Sequence, residues 1–403
     1  MGKDTEHTAY QSPARRFLNN PLSVTGILII LIALLAGLAG YLIVPDKSPN
    51  SNQQHLEIAA RKPGFSVSML KLRKNESIPL MNLPGRMLFG QRSLYSYIPF
   101  NNIEFSGDTL VLEDYAEEES DFTGKRYLHV VDVVYPLDPG DKKILRNQNG
   151  FVFQDIDGME HHIRLDEIQE KILNENIQKK RFLLGTDRFG RDFYSRLLLG
   201  TRISLSVGFI SVGISLIIGL ILGALAGYFR GRTDDIIMWF INVVWSIPTL
   251  LLVIAITLVL GKGFWQVFVA VGLTMWVEVA RVVRGQVLGV REKEYVQAAK
   301  ALGFSALRIL FRHVLPNVIT PVIIISAANF ASAILMEAGL SFLGIGVQPP
   351  VPSWGTMIKD HYGFIIVDKA YLAFLPGLAI MIMVLSFTLV GNGLRDALDV
   401  RRG

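Results

Sequence analysis

The nearest approach to a phosphate-cradling loop in this chain is Gly261-Lys262-Gly263. It lacks both the spacer that must precede the second glycine and the hydroxyl residue that must follow the lysine. A His-Glu-x-x-His pair, which would set two imidazoles on one helical face around zinc, does not occur. Nor does the Gly-x-Ser-x-Gly turn that exposes a nucleophilic serine. His161 and His162 are adjacent, and adjacent residues of a strand point to opposite faces, so they read as solvent-side or half-buried histidines rather than a shared metal site. The acidic run Glu117-Glu118-Glu119 with Asp121 reads as a solvated loop. Without cysteine the chain has no disulfide, no cysteine-linked lipid and no thiolate metal site. No catalytic residue, no metal ligand and no cofactor bound by the chain is therefore expected.

The residues whose spacing does carry information lie between Glu294 and Pro316, and they suit mechanical work rather than covalent chemistry. Two short helical patterns are punctuated by Gly303 and stopped by Pro316. Tyr295, Ala298, Ala299 and Leu302 recur at helical spacing as a shallow apolar stripe, with Lys293, Glu294, Gln297 and Lys300 on the other faces. Ser305 is placed to cap the second helix, where Leu307, Leu310, Phe311 and Val314 form a further stripe beside Arg308, Arg312 and His313. Small side chains permit close approach of a partner's backbone. In isolation the same residues also fit an ordinary basic loop.

What must position this loop is a membrane scaffold. Half of the 403 residues are hydrophobic and only 19% are charged, a balance rare in soluble proteins. Apolar runs long enough to cross a hydrocarbon core begin at Leu22–Val44 and continue at roughly 203–228, 236–260, 264–280, 318–343 and 372–390. The first reads as a retained signal anchor, since no small-x-small cleavage site follows it. Arg15 and Arg16, Arg230 and Arg232, the cations from Arg281 to Arg312, and Arg395, Arg401 and Arg402 all fall on one side if both termini are cytoplasmic. Topology thus accounts for the net charge of +5. No basic stripe with interleaved aromatics supports nucleic-acid binding.

The expected fold is an all-α polytopic membrane protein of about six transmembrane helices, with a small α+β extracytoplasmic domain inserted between the first and second. Its expected divisions are a cytoplasmic N-terminus over 1–21, a first helix over 22–44, the insert over 45–181, and a transmembrane domain over 182–403. Within the insert, Phe151–Ile163 reads as a hairpin closed by a two-residue type I′ turn at Asp157-Gly158. Thr109–Leu112 and Tyr127–Tyr135 read as strands, Leu165–Leu173 as a short amphipathic helix, and 45–105 as less patterned, partly extended chain. Of the few polar groups inside the spans, Asn242, Asn329 and Glu337 stand out, with Glu278 near the inner end of the fourth. If the fifth span enters near Val318, Glu337 lies roughly 28 Å along it, where an outer-gate role and a packing role are equally open.

Gln297-Ala298-Ala299, Gly303 and Leu315-Pro316 resemble the EAA loop of ATP-binding-cassette import permeases, in which an acidic-Ala-Ala triplet precedes a glycine and a Leu-Pro pair. Gln297 stands where glutamate is usual, which puts in doubt any salt bridge that relatives make there. Leu184–Leu205, Gly223–Asp235 and Leu340–Trp354 resemble the dipeptide and oligopeptide branch of the same family, the C-type subunit. The first is expected to form a hydrated interfacial elbow, the second a tight inner turn, and the third an outer scoop beside the pore mouth.

The resemblance implies a bacterial inner-membrane subunit that pairs with a related second permease in the bilayer. It would dock two cytoplasmic ATPases, which hold the ATP and Mg, and receive peptides or peptide-like solutes from an extracytoplasmic substrate-binding protein. The coupling loop would span 285–316, with Glu294, Tyr295, Gln297, Ala298, Ala299, Gly303, Arg308, His313, Leu315 and Pro316 as its site residues. Asn242, Asn329 and Glu337 would be candidates for the translocation pathway. A secondary transporter with its own ion-coupling site is the alternative. It predicts inverted repeats and midplane ion ligands, neither of which is evident. The insert departs from the family pattern, in which the outer segment at this place is shorter; contact with a delivery protein or a partner subunit is its expected role.

Overall fold

The computed structural model describes residues 12–116, 124–138, 143–147, 150–261 and 263–398. The acidic run Glu117–Asp121, Lys262, Arg401 and Arg402 lie outside the described residues. Among the described residues, five helices are long and apolar enough to cross a membrane: Pro21–Ile43, Phe193–Phe229, Phe264–Arg291, Ala306–Phe342 and Tyr371–Leu398. The expected third span is not one helix. Gly231–Trp245 and Thr249–Leu260 meet at 91°, because Pro248 cannot continue a helix and Ser246 and Ile247 end the first one. The fourth span, expected to be the shortest, runs through 28 residues. Its extension past Ala280 is amphipathic, with Val283 and Val287 buried while Gly285 and Gln286 are not.

Internal contacts divide the chain into two compact units: Leu38–Leu199 with Gly363–Leu372, and Met1–Gly37 with Gly200–Tyr362 and Ala373–Gly403. In the first, strands β1 (Ser66–Arg73), β2 (Tyr95–Ser106), β3 (Thr109–Asp114), β4 (Lys125–His129) and β8 (Ile177–Arg181) form an antiparallel sheet in the order β4-β3-β2-β1-β8. Strands β5 (Leu145–Asn147), β6 (Gly150–Gln154) and β7 (Glu160–Ile163) form a second. Leu70, Phe100, Leu110 and Leu112 share one core with Val130, Val131 and Val133, Phe151 and Phe153, and Ile168 and Ile172.

Two local readings of this unit are corrected. The stretch 127–135 is strand only to His129. Val130–Val134 is a helical turn that buries three of its valines, a consecutive pattern that alternation cannot satisfy, and His129 Nδ1 accepts from the Val131 N–H at 3.3 Å. The β6–β7 connection has no two-residue turn. Asp155 N–H donates to the Met159 carbonyl and Gly158 N–H to that of Asp155, with Gly158 at φ 77°. This is the three-residue loop with glycine in the left-handed position. His161 packs half-buried against Tyr135 and Phe153 with Asp155 2.7 Å from its Nε2, while the His162 side chain is 70% exposed.

The elbow before the second span is dry rather than hydrated. Asp187 and Arg191 side chains are 1% and 4% exposed, with Arg191 Nε 2.6 Å from Asp187 Oδ2. Asp187 Oδ1 also accepts from the backbone N–H groups of Phe189 and Arg191. Arg191 and Arg196 reach back to Asn52 and to the Asn50 carbonyl, and Ser195 Oγ accepts from Asp46 N–H. Pairing and these hydrogen bonds offset the burial of Asp187, Arg191 and Arg196, whereas buried Asp192 accepts from Ser195 N–H through Oδ1 and leaves Oδ2 without a partner among the described residues.

In the second unit, Gly219, Gly223 and Gly227 form a groove along the Phe193–Phe229 helix. A Cβ at Gly223 would lie 2.5 Å from the Ala280 carbonyl, and one at Gly227 2.8 Å from that of Arg284. The spacing of four keeps all three glycines on one face, where they admit the backbone of the Phe264–Arg291 helix.

Candidate functional site

The Glu294–Pro316 segment folds as two pieces rooted in the spans. Helix Glu294–Ala301 ends in a Schellman arrangement. Gly303 N–H donates to the Lys300 carbonyl, Phe304 N–H donates to that of Ala299, and Gly303 sits at φ 76°. Nothing lies within 4 Å of where a Gly303 Cβ would be. The left-handed backbone at the helix stop favours glycine there whatever surrounds it. Ser305 Oγ accepts from Arg308 N–H at 3.4 Å and starts the next helix.

Pro316 does not stop that helix. Ala306–Phe342 is continuous through a wide turn at Leu310–Val314, and Pro316 falls at the start of the following stretch. Proline lacks the N–H and crowds the carbonyl four residues back, which the wider π-turn accommodates. The Asn317 side chain donates to the His313 carbonyl at 2.7 Å, and the His313 ring stacks on Phe304.

The stripes divide differently from the sequence expectation. Val296 and Ala299 are the buried residues of the first helix. Together with Ile309, Leu310 and Val314 they pack against Ala224, Tyr228, Val283 and Val287. Tyr295, Ala298 and Leu302 face outward, as do Leu307 and Phe311, with Leu302 74% and Phe311 66% exposed. Of the two alanines, only Ala298 is therefore available to a partner. Glu294 is exposed, and Gln297 Nε2 donates to the Arg291 carbonyl at 3.1 Å. The Arg308 guanidinium covers the Phe304 ring at 4.6 Å.

Cations clamp the root of the loop. Arg284 makes two 2.6 Å bonds to Asp234, Arg230 pairs with Glu292 at 2.7 Å, and Arg291 donates to the Tyr228 carbonyl at 2.6 Å. Lys300 lies over the Tyr228 ring at 5.6 Å, and burial, then the neighbouring Arg291, pushes its ammonium pKa down. Sequence reasoning missed Val296 and these ion pairs. Val296 lies three residues before Ala299, so the one-face spacing that would have found it was present.

The three pathway candidates do not converge. Asn242 is exposed and accepts from Arg281 at 2.6 Å. Asn329 is buried at 2% exposure with its Nδ2 unpaired. Glu337 is fully buried; its Oε1 accepts from Ser341 Oγ at 2.7 Å, and the hydroxyls of Ser204 and Ser353 surround the same carboxyl. Ser341 Oγ accepts in turn from Val347 N–H, and Ser353 and Thr356 cap helix Trp354–His361. The polar group under the Pro-rich segment thus ties the Ala306–Phe342 helix to the turn that follows it.

Residues 219–403 match the family model described as "Binding-protein-dependent transport system inner membrane component". The chain is 41% identical over 227 residues to the glutathione transport system permease protein GsiD of Pectobacterium atrosepticum, covering 56% of this chain and 75% of that one. It is 44% identical over 220 residues to the di/tripeptide transport system permease protein DppC of Pseudomonas aeruginosa, covering 54% and 72%. The chain belongs to the binding-protein-dependent transport permease family. This permease is also 39% identical over 237 residues to the oligopeptide transport system permease protein OppC of Bacillus subtilis, covering 59% and 77%. A chain of the MetNI methionine ABC transporter is similar over 51% of this permease and 97% of its own length, with a TM-score of 0.43 and 19% identity. The family model takes in the permease's glycine groove, bent pair, loop and Pro-rich turn; the two sheets precede it.

Proposed function

We propose that this chain is one permease subunit of an ATP-driven importer of peptides or peptide-like solutes, with the 285–316 loop as its coupling element. A related second permease completes the pore, two cytoplasmic ATPases hold the ATP and Mg, and a substrate-binding protein delivers cargo from the far side. The chain sits in the bacterial inner membrane with both termini cytoplasmic, and the sheet-bearing insert is extracytoplasmic, where it meets the delivery protein or a partner subunit. The substrate class rests on the named relatives, three of which are peptide or glutathione permeases.

The observation that carries the coupling role is a two-faced loop. One face is locked into the chain's own helices by Val296, Ala299, Leu310 and Val314. The other presents Tyr295, Leu302, Leu307 and Phe311 to solvent amid cations, an apolar patch of the kind that marks a protein contact. A docked ATPase that pulls on the outer face moves the packed inner face, and with it the spans. Glu337 is read as fixing the Pro-rich turn rather than relaying protons, since no second carboxylate stands beside it among its neighbours. The test uses the absence of native cysteine: a single cysteine at Phe311 should crosslink to the ATPase in the assembled complex, in a nucleotide-dependent way. A complex that transports normally yet never yields that crosslink would remove the coupling role.

A further inference from the structure

Residues 79–91 carry five large apolar side chains that the fold leaves uncovered: Leu80 (79% exposed), Met81, Leu83 (63%), Leu88 and Phe89 (64%). Helix Leu83–Phe89 buries none of its residues. Asn82 caps its start and Gly90, at φ 75°, ends it, so the segment is a formed element rather than loose chain. Its two ends are stapled together: Gln91 Oε1 accepts from Met81 N–H, and Gln91 Nε2 donates to the Pro79 carbonyl.

The staple is fixed at the end of the first spanning helix. Gln91 N–H donates to the Lys47 carbonyl at 2.9 Å. A Cβ at Gly90 would meet both that carbonyl and the Tyr41 ring at 2.8 Å. Leu80 and Pro45 line the same cleft of about 550 Å³. Tyr41 lies two residues before the end of the helix Pro21–Ile43, whose 23 residues suffice for a hydrocarbon core of about 30 Å. Both ends of the segment are therefore held where that core gives way to headgroups. The last turns of the helix also expose Leu38, Leu42 and Ile43, so the uncovered patch of 80–89 continues a lipid-facing surface.

Charge completes the pattern. The cleft beneath the segment is lined by Lys47, Arg86, Arg92, Lys179, Lys180 and Arg181, with no carboxylate among its lining residues. Arg92 is paired with Glu76 outside it, and Lys180 lies over the Tyr97 and Phe182 rings. Lys47, Arg86, Lys179 and Arg181 are exposed. Apolar side chains beside a basic cleft, at the level of a span's end, have the make-up of an element that lies in a bilayer interface and pairs with anionic headgroups.

We infer that residues 80–89 are an interfacial anchor seated in the membrane, with the Lys47–Arg86–Lys179–Arg181 cleft taking phospholipid phosphate. The occupant is lipid rather than protein because the patch is continuous with the first span. The anchor holds the sheet-bearing unit against the bilayer independently of transport.

Single cysteines replace Leu83, Phe89 and, as a water-exposed control, Tyr127, which is 68% exposed. Each full-length variant is labelled with bimane and reconstituted into vesicles of brominated phosphatidylcholine, with or without brominated phosphatidylglycerol. Labels at 83 and 89 should be quenched by the brominated chains at least about twofold more than the label at 127, and more with the anionic lipid present. Arg86→Glu with Lys179→Glu should remove the anionic increment alone. Quenching at 83 and 89 no greater than at 127 overturns the anchor. So does shielding from aqueous iodide without lipid quenching, which would mean a protein occupant. An increment indifferent to the charge reversals overturns the headgroup role of the cleft. None of these readings requires ATP or a partner, so they stand apart from the importer assignment.

Discussion

Replacing Leu302 and Phe311 together by serine isolates the outer face of the loop. Complete burial of a Leu or Phe side chain is worth about 1.5–3 kcal/mol. Leu302 and Phe311 have 74% and 66% of their surface still to bury, so each can contribute about 1–2 kcal/mol on docking. Association consumes part of that gain through immobilised side chains and imperfect fit. A net loss of about 2 kcal/mol for the pair corresponds to roughly thirtyfold weaker binding of the ATPase. The assay titrates the cognate ATPase subunits onto the reconstituted permease and follows retention or anisotropy, with thermal stability of the permease alone measured in parallel. Because neither side chain packs within the chain, its stability should change by less than about 0.5 kcal/mol. Val296→Ser, on the buried face, should do the reverse and lower stability. ATPase affinity unchanged within about threefold would refute the reasoning, and so would a large drop in the stability of the double variant.

Further outcomes follow from other buried groups. Burial first, then Lys180, holds the His55 imidazole pKa down at about 4, against an ordinary 6.5. Between those values the unfolded chain binds the proton and the folded one does not, so stability falls as pH falls from about 6.5 to about 4, by up to about 3 kcal/mol. Thermal melts across that window should show a slope that His55→Gln reduces. Gly223→Leu should lower thermal stability in detergent by about 1–3 kcal/mol, since even its Cβ would stand 2.5 Å from the Ala280 carbonyl; an unchanged melt would mean the helices are not in contact there. Glu337→Gln should retain substantial uptake because an amide oxygen still accepts from Ser341. Glu337→Leu should destabilise the Pro-rich turn by about 1–3 kcal/mol per orphaned hydroxyl. Equal effects of the two substitutions on melting would argue against the hydrogen-bonding role.

What the sequence made legible was set by signals that act along a helix or within one turn. Apolar runs announced the spans, and Ser305 announced its cap, because each depends on neighbours a few residues away. The bend at Pro248 was missed because hydropathy stays high through it, and composition alone does not register direction. The hairpin at Ser106–Thr109 closes with a two-residue loop that puts Gly107 at φ 62°, whereas Asp157-Gly158, which reads as the tight turn, sits in a three-residue loop. Both dipeptides permit a reversal; pairing across the sheet decides which is tight. In the loop, Ala298 and Ala299 are indistinguishable by type. Only the positions of Tyr228 and Val287, on other helices, put one inside and the other out. Likewise the elbow's charges looked like hydrated groups, since Asn50 and Asn52 lie more than a hundred positions upstream.

That separation has a consequence for how the protein is made. Asp187 pairs with Arg191 and Arg196 within ten positions, but the two guanidinium groups fill their remaining donors only on Asn52 and the Asn50 carbonyl, 139 and 146 positions upstream. A nascent chain with the intervening stretch misfolded therefore carries unfilled guanidinium donors at the threshold of its second membrane crossing. Lesions far from any solute path would then surface as faulty insertion and early degradation, not as slow uptake.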